Sequence, residues 1–225
     1  MAQRFPSELY VWGNNAYGKL GIGDVTADLE PTKLTFNLPA RCVKVICNPR
    51  TSGCLTEAGE FFLWGDVCHG TVGLLSHTPQ RVLLPPRTQI RSAALGRCHV
   101  VALAASGQLY TWGMGLDGRL GHGDQANRDG PTVVQAFEEA GVGITAIAAG
   151  CSHSLAGDAQ GNLWSWGCAL EGALGLGPEN LDEAVLNPTM LVRCHPTVCP
   201  GTAWLYSRMR WASQGERLSD AWRAS

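Results

Sequence analysis

The stretch Gly13-Asn14-Asn15-Ala16-Tyr17-Gly18-Lys19-Leu20 comes within one residue of a phosphate-binding loop. In such loops backbone N–H groups cradle phosphate while a lysine and a hydroxyl reach the phosphates and Mg²⁺. The frame recurs as Gly113…Gly118-Arg119-Leu120 and Gly167…Gly172-Ala173-Leu174. Its cation position is thus Lys, Arg or Ala, and its hydroxyl position is always Leu. No helical pattern follows that would offer an N-terminus to phosphate. A structural turn is expected instead. Cysteine and histidine also recur together, as Cys68-His69, Cys98-His99, Cys151 with His153, and Cys194-His195. A zinc site needs two ligand pairs at short spacing. Cys42/Cys47 and Cys194/Cys199 are spaced suitably, but no second clean pair follows either. His99 and His153 are expected to be structural residues satisfied by backbone. The acidic pairs Glu138-Glu139 and Asp182-Glu183 read as solvated loop charge. No nucleophile elbow, zinc-protease or kinase signature occurs, so catalysis, a cofactor and a metal are not expected.

The 225 residues include 28 Gly, and only 16% are charged, where about 25% is usual. With 45% hydrophobic residues, disorder through self-repulsion is excluded. The glycines follow no three-residue period, which excludes collagen. Net charge is −2, so the generally basic footprint of a nucleic-acid binder is absent. MAQRFPSELY has no apolar signal-peptide core, and no stretch of 18 apolar residues is present. These features lead to the expectation of a cytoplasmic or nuclear, non-secreted protein with no membrane partner. The nine cysteines are then expected as free thiols in a reducing compartment.

Four segments align on a Trp-Gly pair: Trp12-Gly13, Trp64-Gly65, Trp112-Gly113 and Trp166-Gly167. Glycine recurs six residues after each Trp (Gly18, Gly70, Gly118, Gly172) and nine after (Gly21, Gly73, Gly121, Gly175). Each Trp-Gly pair ends a short alternating strand. Two more strands precede it, as in residues 90–104 and 144–157, and a proline-led strand starts at Pro31, Pro79, Pro131 or Pro188. A helical turn is expected only at Phe137–Ala140. Four strands in each unit of about 50 residues predict an all-β fold built of β-propeller blades.

The motifs resemble the repeats of the regulator of chromosome condensation family, a resemblance that covers residues 7–192. Gly150-Cys151-Ser152-His153-Ser154 followed by Gly161-Asn162-Leu163-Trp164-Ser165-Trp166-Gly167 carries the family pattern well, as do Gly96–His99 with Gly107–Gly113. The second repeat has decayed, with Asn48 for the Gly, Thr51 for the His and Leu75 for the last Gly. The resemblance implies a ring of seven blades, about 350 residues at this repeat length, so an incomplete ring is expected here. The expected division is a last strand at 7–13, full blades at 31–65, 79–113 and 131–167, an orphan strand at 188–192, and a basic non-repeat tail at 193–225. An open arc leaves strand edges uncovered, so self-association is an expected property.

The resemblance implies a non-catalytic protein-interaction propeller. Its alternative is a guanine-nucleotide exchange factor for a Ran-like small GTPase. Partner contacts are expected in two loops, Asp24–Glu30 (Asp24, Asp28, Glu30) and Asp124–Gly130 (Asp124, Arg128, Asp129), because loops on a rigid scaffold carry function. The family's ultraviolet-B photoreceptors hold tryptophan in a repeated Gly-Trp-Arg-His-Thr motif. Here the matching positions read Gly96-Arg97-Cys98-His99-Val100 and Gly150-Cys151-Ser152-His153-Ser154, so photoreception is not implied.

Overall fold

The structure, a computed structural model, describes residues 8–23, 27–36, 38–67, 74–177 and 184–191. Within them, fourteen strands form four antiparallel sheets. β1 (Tyr10–Asn14) pairs with β2 (Ala27–Lys33). β3 (Cys42–Cys47), β4 (Thr51–Thr56), β5 (Phe61–Val67) and β6 (Leu74–Arg81) make the second sheet. The third contains β7 (Ile90–Leu95), β8 (His99–Ala104), β9 (Leu109–Gly113) and β10 (Arg128–Val133). The fourth contains β11 (Ile144–Ala149), β12 (His153–Asp158), β13 (Leu163–Cys168) and β14 (Ala184–Met190). The helical turn expected near Phe137 is α1 (Gln135–Glu139), on the link between the third and fourth sheets. No helix among the described residues is long and apolar enough to cross a membrane.

The sheets are propeller blades around an incomplete ring. β7 contacts β3 and β4 on one side and β11 on the other, so the first strands of successive blades lie innermost. The core is a set of layers between blades. Leu9, Leu34, Phe62 and Trp64 fill the first seam, and Leu55, Phe61, Ile90, Val100 and Trp112 the second. Val101, Leu109, Phe137, Ile144 and Trp166 fill the third. Each strand alternates between the seam ahead and the seam behind, so both faces of an inner blade are apolar.

The blades are phased one strand differently from the expected division. Each proline-led strand is the last strand of its sheet, paired with the Trp-Gly strand before it. The blades are therefore 42–81, 90–133 and 144–190, preceded by the two-strand sheet of β1 and β2. The expected orphan strand at 188–192 falls within β14 and just beyond the described residues. Proline lacks an N–H and so marks a sheet edge. A blade has two edges, inner and outer, and sequence pattern does not separate them. The structure places Pro31, Pro79, Pro131 and Pro188 on the outer edge. Each lies in an irregularity of the ladder directly opposite the Trp-Gly pair. The tail 193–225 lies outside the described residues.

Candidate functional site

The repeated residues converge on the seams. At the third seam the Arg119 carbonyl accepts from Trp166 Nε1 at 3.0 Å and from Ser154 Oγ at 2.9 Å. At the first, the Lys19 carbonyl accepts from Trp64 Nε1 at 2.9 Å and Ser52 Oγ at 2.7 Å. Lys19 and Arg119 both lie seven residues after a Trp, in turns that follow β1 and β9. These turns contain short 3-10 segments, Ala16–Gly18 and Leu116–Gly118, with Tyr17 at φ +68° and Asp117 at φ +59°. A third such segment, Leu170–Gly172, follows β13 with Glu171 at φ +59°. Each of the first two turns packs on the next blade. Close approach explains the glycine nine residues after Trp. A Cβ on Gly121 would sit 2.8 Å from Trp166 Nε1, and one on Gly21 2.9 Å from the Trp64 ring.

The phosphate-loop look-alike is thereby absorbed into the seam. The Lys19 carbonyl takes two bonds from the next blade, and its Nζ donates to Pro49 O at 3.1 Å. Arg119 is buried. Its Nε donates to Leu116 O at 2.7 Å and its guanidinium pairs with Asp117 at 2.8 Å, which clamps the turn that presents its carbonyl.

His99 Nε2 lies 2.9 Å from Ser154 Oγ on the next blade. Its side-chain partner is thus a hydroxyl, and the main chain of His153 also acts on the ring. The serine's single proton goes to Arg119 O, so Nε2 is the donor and Nδ1 carries the lone pair. Nδ1 is buried without a partner. The ring is neutral, its pKa pushed down to about 3 by burial first, then by the charges of Arg119 and His153. His153 holds the same repeat position. Among the described residues no blade follows it; it is half-buried, and burial lowers its pKa as well. The seam hydroxyl was missed in the sequence, although a signal existed: Ser52 and Ser154 both lie twelve residues before their Trp, where Val100 stands in the third repeat.

In the decayed repeat, Asn48 takes up what its missing glycine would not provide. Its Oδ1 accepts from Arg50 N and Thr51 N, closing the turn, and its Nδ2 donates to Gly96 O on the next blade at 2.6 Å. Arg50 pairs with Asp66 at 3.0 Å, and its guanidinium carbon lies 4.4 Å from the centroid of the Tyr17 ring.

The two expected contact loops differ. Residues 27–30 of the acidic segment belong to β2 and so are strand, with Asp28 opposite Gly13. Glu30 is exposed, and Asp24 lies outside the described residues. In the second loop Asp124 accepts from Arg128 at 2.7 Å and from Ala126 N at 2.9 Å. Those bonds, Arg128 first, hold the Asp124 carboxyl below its usual range. Arg128 and Asp129 already belong to β10, with Asp129 exposed. Across the loop, Asn127 Oδ1 accepts from Gly115 N at 2.9 Å and Gln125 Oε1 from Asp117 N at 3.1 Å. The loop is closed on itself, with residues 123–127 exposed.

A family model, the regulator of chromosome condensation (RCC1) repeat, matches residues 7–55 and 106–156. This chain carries RCC1 repeats. The ultraviolet-B receptor UVR8 of Arabidopsis thaliana is 32% identical over 187 residues, covering 81% of this chain and 42% of the receptor. The human E3 ubiquitin-protein ligase HERC2 is 34% identical over 193 residues, covering 82% of this chain and 4% of the ligase. Among solved structures, Saccharomyces cerevisiae Prp20p superposes with a TM-score of 0.71 at 24% identity, over 83% of this chain and 47% of that one. The RCC1-repeat chain thus spans less than half the length of each of these proteins. The likeness to Prp20p is one of fold. The RCC1 motif positions Trp64, Trp112, Trp166 and His99 are all buried in seams.

Proposed function

We propose that this RCC1-repeat arc is a non-catalytic scaffold that binds a protein partner through the loop at residues 114–128. The loop's self-closure is the observation that carries this reading. Four hydrogen bonds fix residues 124–127 from within and leave them exposed. A loop already ordered in this way loses little conformational freedom on binding. The paired charges of Asp124 and Arg128 shape it, so Gln125, Ala126 and Asn127 are the contact surface. Ala126→Arg tests this, because Ala126 takes part in the loop's bonds only through its main chain. Proteins captured by the wild-type chain should be retained at least tenfold less by Ala126→Arg, and unchanged by Ser106→Arg on the opposite rim. An identical retained set for both variants refutes the reading.

A second reading is nucleotide exchange on a Ran-like GTPase. It takes its support from Prp20p, whose structure was described together with binding to Gsp1p and histones. That support operates at the level of fold. A nuclear or cytoplasmic location goes with either reading. Nucleotide release from a panel of small GTPases separates them: no acceleration by micromolar chain eliminates exchange.

A further inference from the structure

The seams inside the arc show what an RCC1 blade face binds, and each end of the arc carries one half of such a seam. The leading half is β1. Trp12 is 60% exposed, whereas Trp64, Trp112 and Trp166 at the same repeat position are buried. Tyr10, two residues earlier on the same face, is half exposed, while its counterparts Phe62 and Tyr110 are buried and Trp164 is partly buried.

The trailing half is the turn after β13. It has the same shape as the turn that seats Trp166. Ala169 and Gly115, which precede the two 3-10 segments, share φ −90° and ψ −4°, and Glu171 and Asp117 share φ +59°. The bond from Gly175 N to Gly172 O, at 3.0 Å, matches that from Gly121 N to Gly118 O at 2.9 Å. Only the occupant differs. Gly18, Gly21, Gly118 and Gly121 are buried under the next blade, while Gly172 and Gly175 are exposed. Among the described residues, a Cβ on Gly175 would meet only the Leu191 side chain, at 3.5 Å in ordinary contact. The seat is preformed, and the Ala173 carbonyl stands where those of Lys19 and Arg119 accept an indole N–H.

We propose that a second copy of this chain docks head to tail, with Trp12 of one copy in the seat at Ala173–Gly175 of the other and its indole N–H donated to the Ala173 carbonyl. The internal seams argue for this occupant, because each copy presents both complementary halves. The contact is heterologous, so it either closes a ring or extends. It uses the ends of the arc and is independent of the partner loop at 114–128.

Sedimentation velocity of the full chain, up to about 100 µM to reach weak contacts, tests the idea. The wild-type mass should rise above the monomer's 24.0 kDa with concentration. Trp12→Ala removes the head, and Gly175→Asn fills the seat with a residue that tolerates positive φ. Each variant alone should stay monomeric, with association weakened at least tenfold. Mixed in equal amounts they should form a heterodimer that grows no further, because only one complementary pair remains. Trp12 is exposed, so Trp12→Ala should keep the wild-type denaturation midpoint. A wild-type chain that stays monomeric throughout, variants that associate like wild type, or a mixture that does not dimerise would each overturn the proposal.

Discussion

Ser154→Ala should be costly for so small a change at a seam, and the reason can be worked through atom by atom. Ser154 Oγ donates to Arg119 O and accepts from His99 Nε2. Removing the hydroxyl breaks one bond whose acceptor keeps a second partner, Trp166 Nε1. That part costs about 1 kcal/mol, the net worth of an ordinary hydrogen bond. It also strands the His99 N–H in a fully buried ring whose other nitrogen already has no partner. A buried donor left unmade costs about 1–3 kcal/mol, so the sum is roughly 2–4 kcal/mol. The repeat supplies a matched control. Ser52 makes the same bond to Lys19 O, which keeps Trp64 Nε1, but no histidine depends on it. Ser52→Ala should cost only about 1 kcal/mol. Urea unfolding at neutral pH measures both, as shifts of the midpoint at unchanged slope. In thermal unfolding each kcal/mol should appear as about 2–4 °C for a chain of this size. A Ser154→Ala loss no larger than that of Ser52→Ala would refute the hydrogen-bond assignment and the neutral, Nε2-protonated state of His99.

Two further predictions rest on the same seams. His99 has a folded-state pKa of about 3, below the unfolded value near 6.5. The unfolded chain therefore takes up the proton first, so stability is complete above about pH 6.5 and is lost as pH falls toward 3. By pH 4.5 His99 alone should remove about 3 kcal/mol. Carboxylates contribute to acid unfolding in both proteins alike, so the readout is the difference in pH slope between wild type and His99→Gln; equal slopes would contradict the buried neutral ring. Gly121→Ala and Gly175→Ala share a positive φ, +77° and +67°, worth about 1–2 kcal/mol each. Gly121→Ala also drives a methyl into Trp166, adding about 1–3 kcal/mol of overpacking. Gly121→Ala should therefore be clearly the more destabilising in dilute solution, and equal costs would show that the Gly121 contact does not hold.

The parts of this fold that could be read from the sequence are those whose partner lies one blade away. Trp166 and the turn around Arg119 are 47 residues apart, Trp64 and the turn around Lys19 45. Such pairs recur at nearly constant offset, and fixed offsets were the signal for the Trp-Gly strands, the glycines and the four-stranded blades. The Ser52 and Ser154 hydroxyls obey the same rule and were visible in principle, but Val100 breaks the series at one seam. What could not be read has a different physical origin. Blade phase depends on which of two sheet edges tolerates proline, and a missing N–H is compatible with either. The acidic segment after Gly23 looked like a loop because Asp, Glu and Pro are poor strand formers. An outer edge strand needs only one ladder, so residues 27–33 pair with β1 despite them. In the loop at 114–128 two of the expected contact residues, Asp124 and Arg128, bond to each other. On the proposed reading the contact surface is then residues 125–127, whose types carry no repeat signal. In a repeat protein the periodic residues report how the blades are joined, so evidence for a partner must be sought where the period fails. Among the described residues of this chain those places are the self-closed loop and the two ends of the arc, each of which carries one half of a seam.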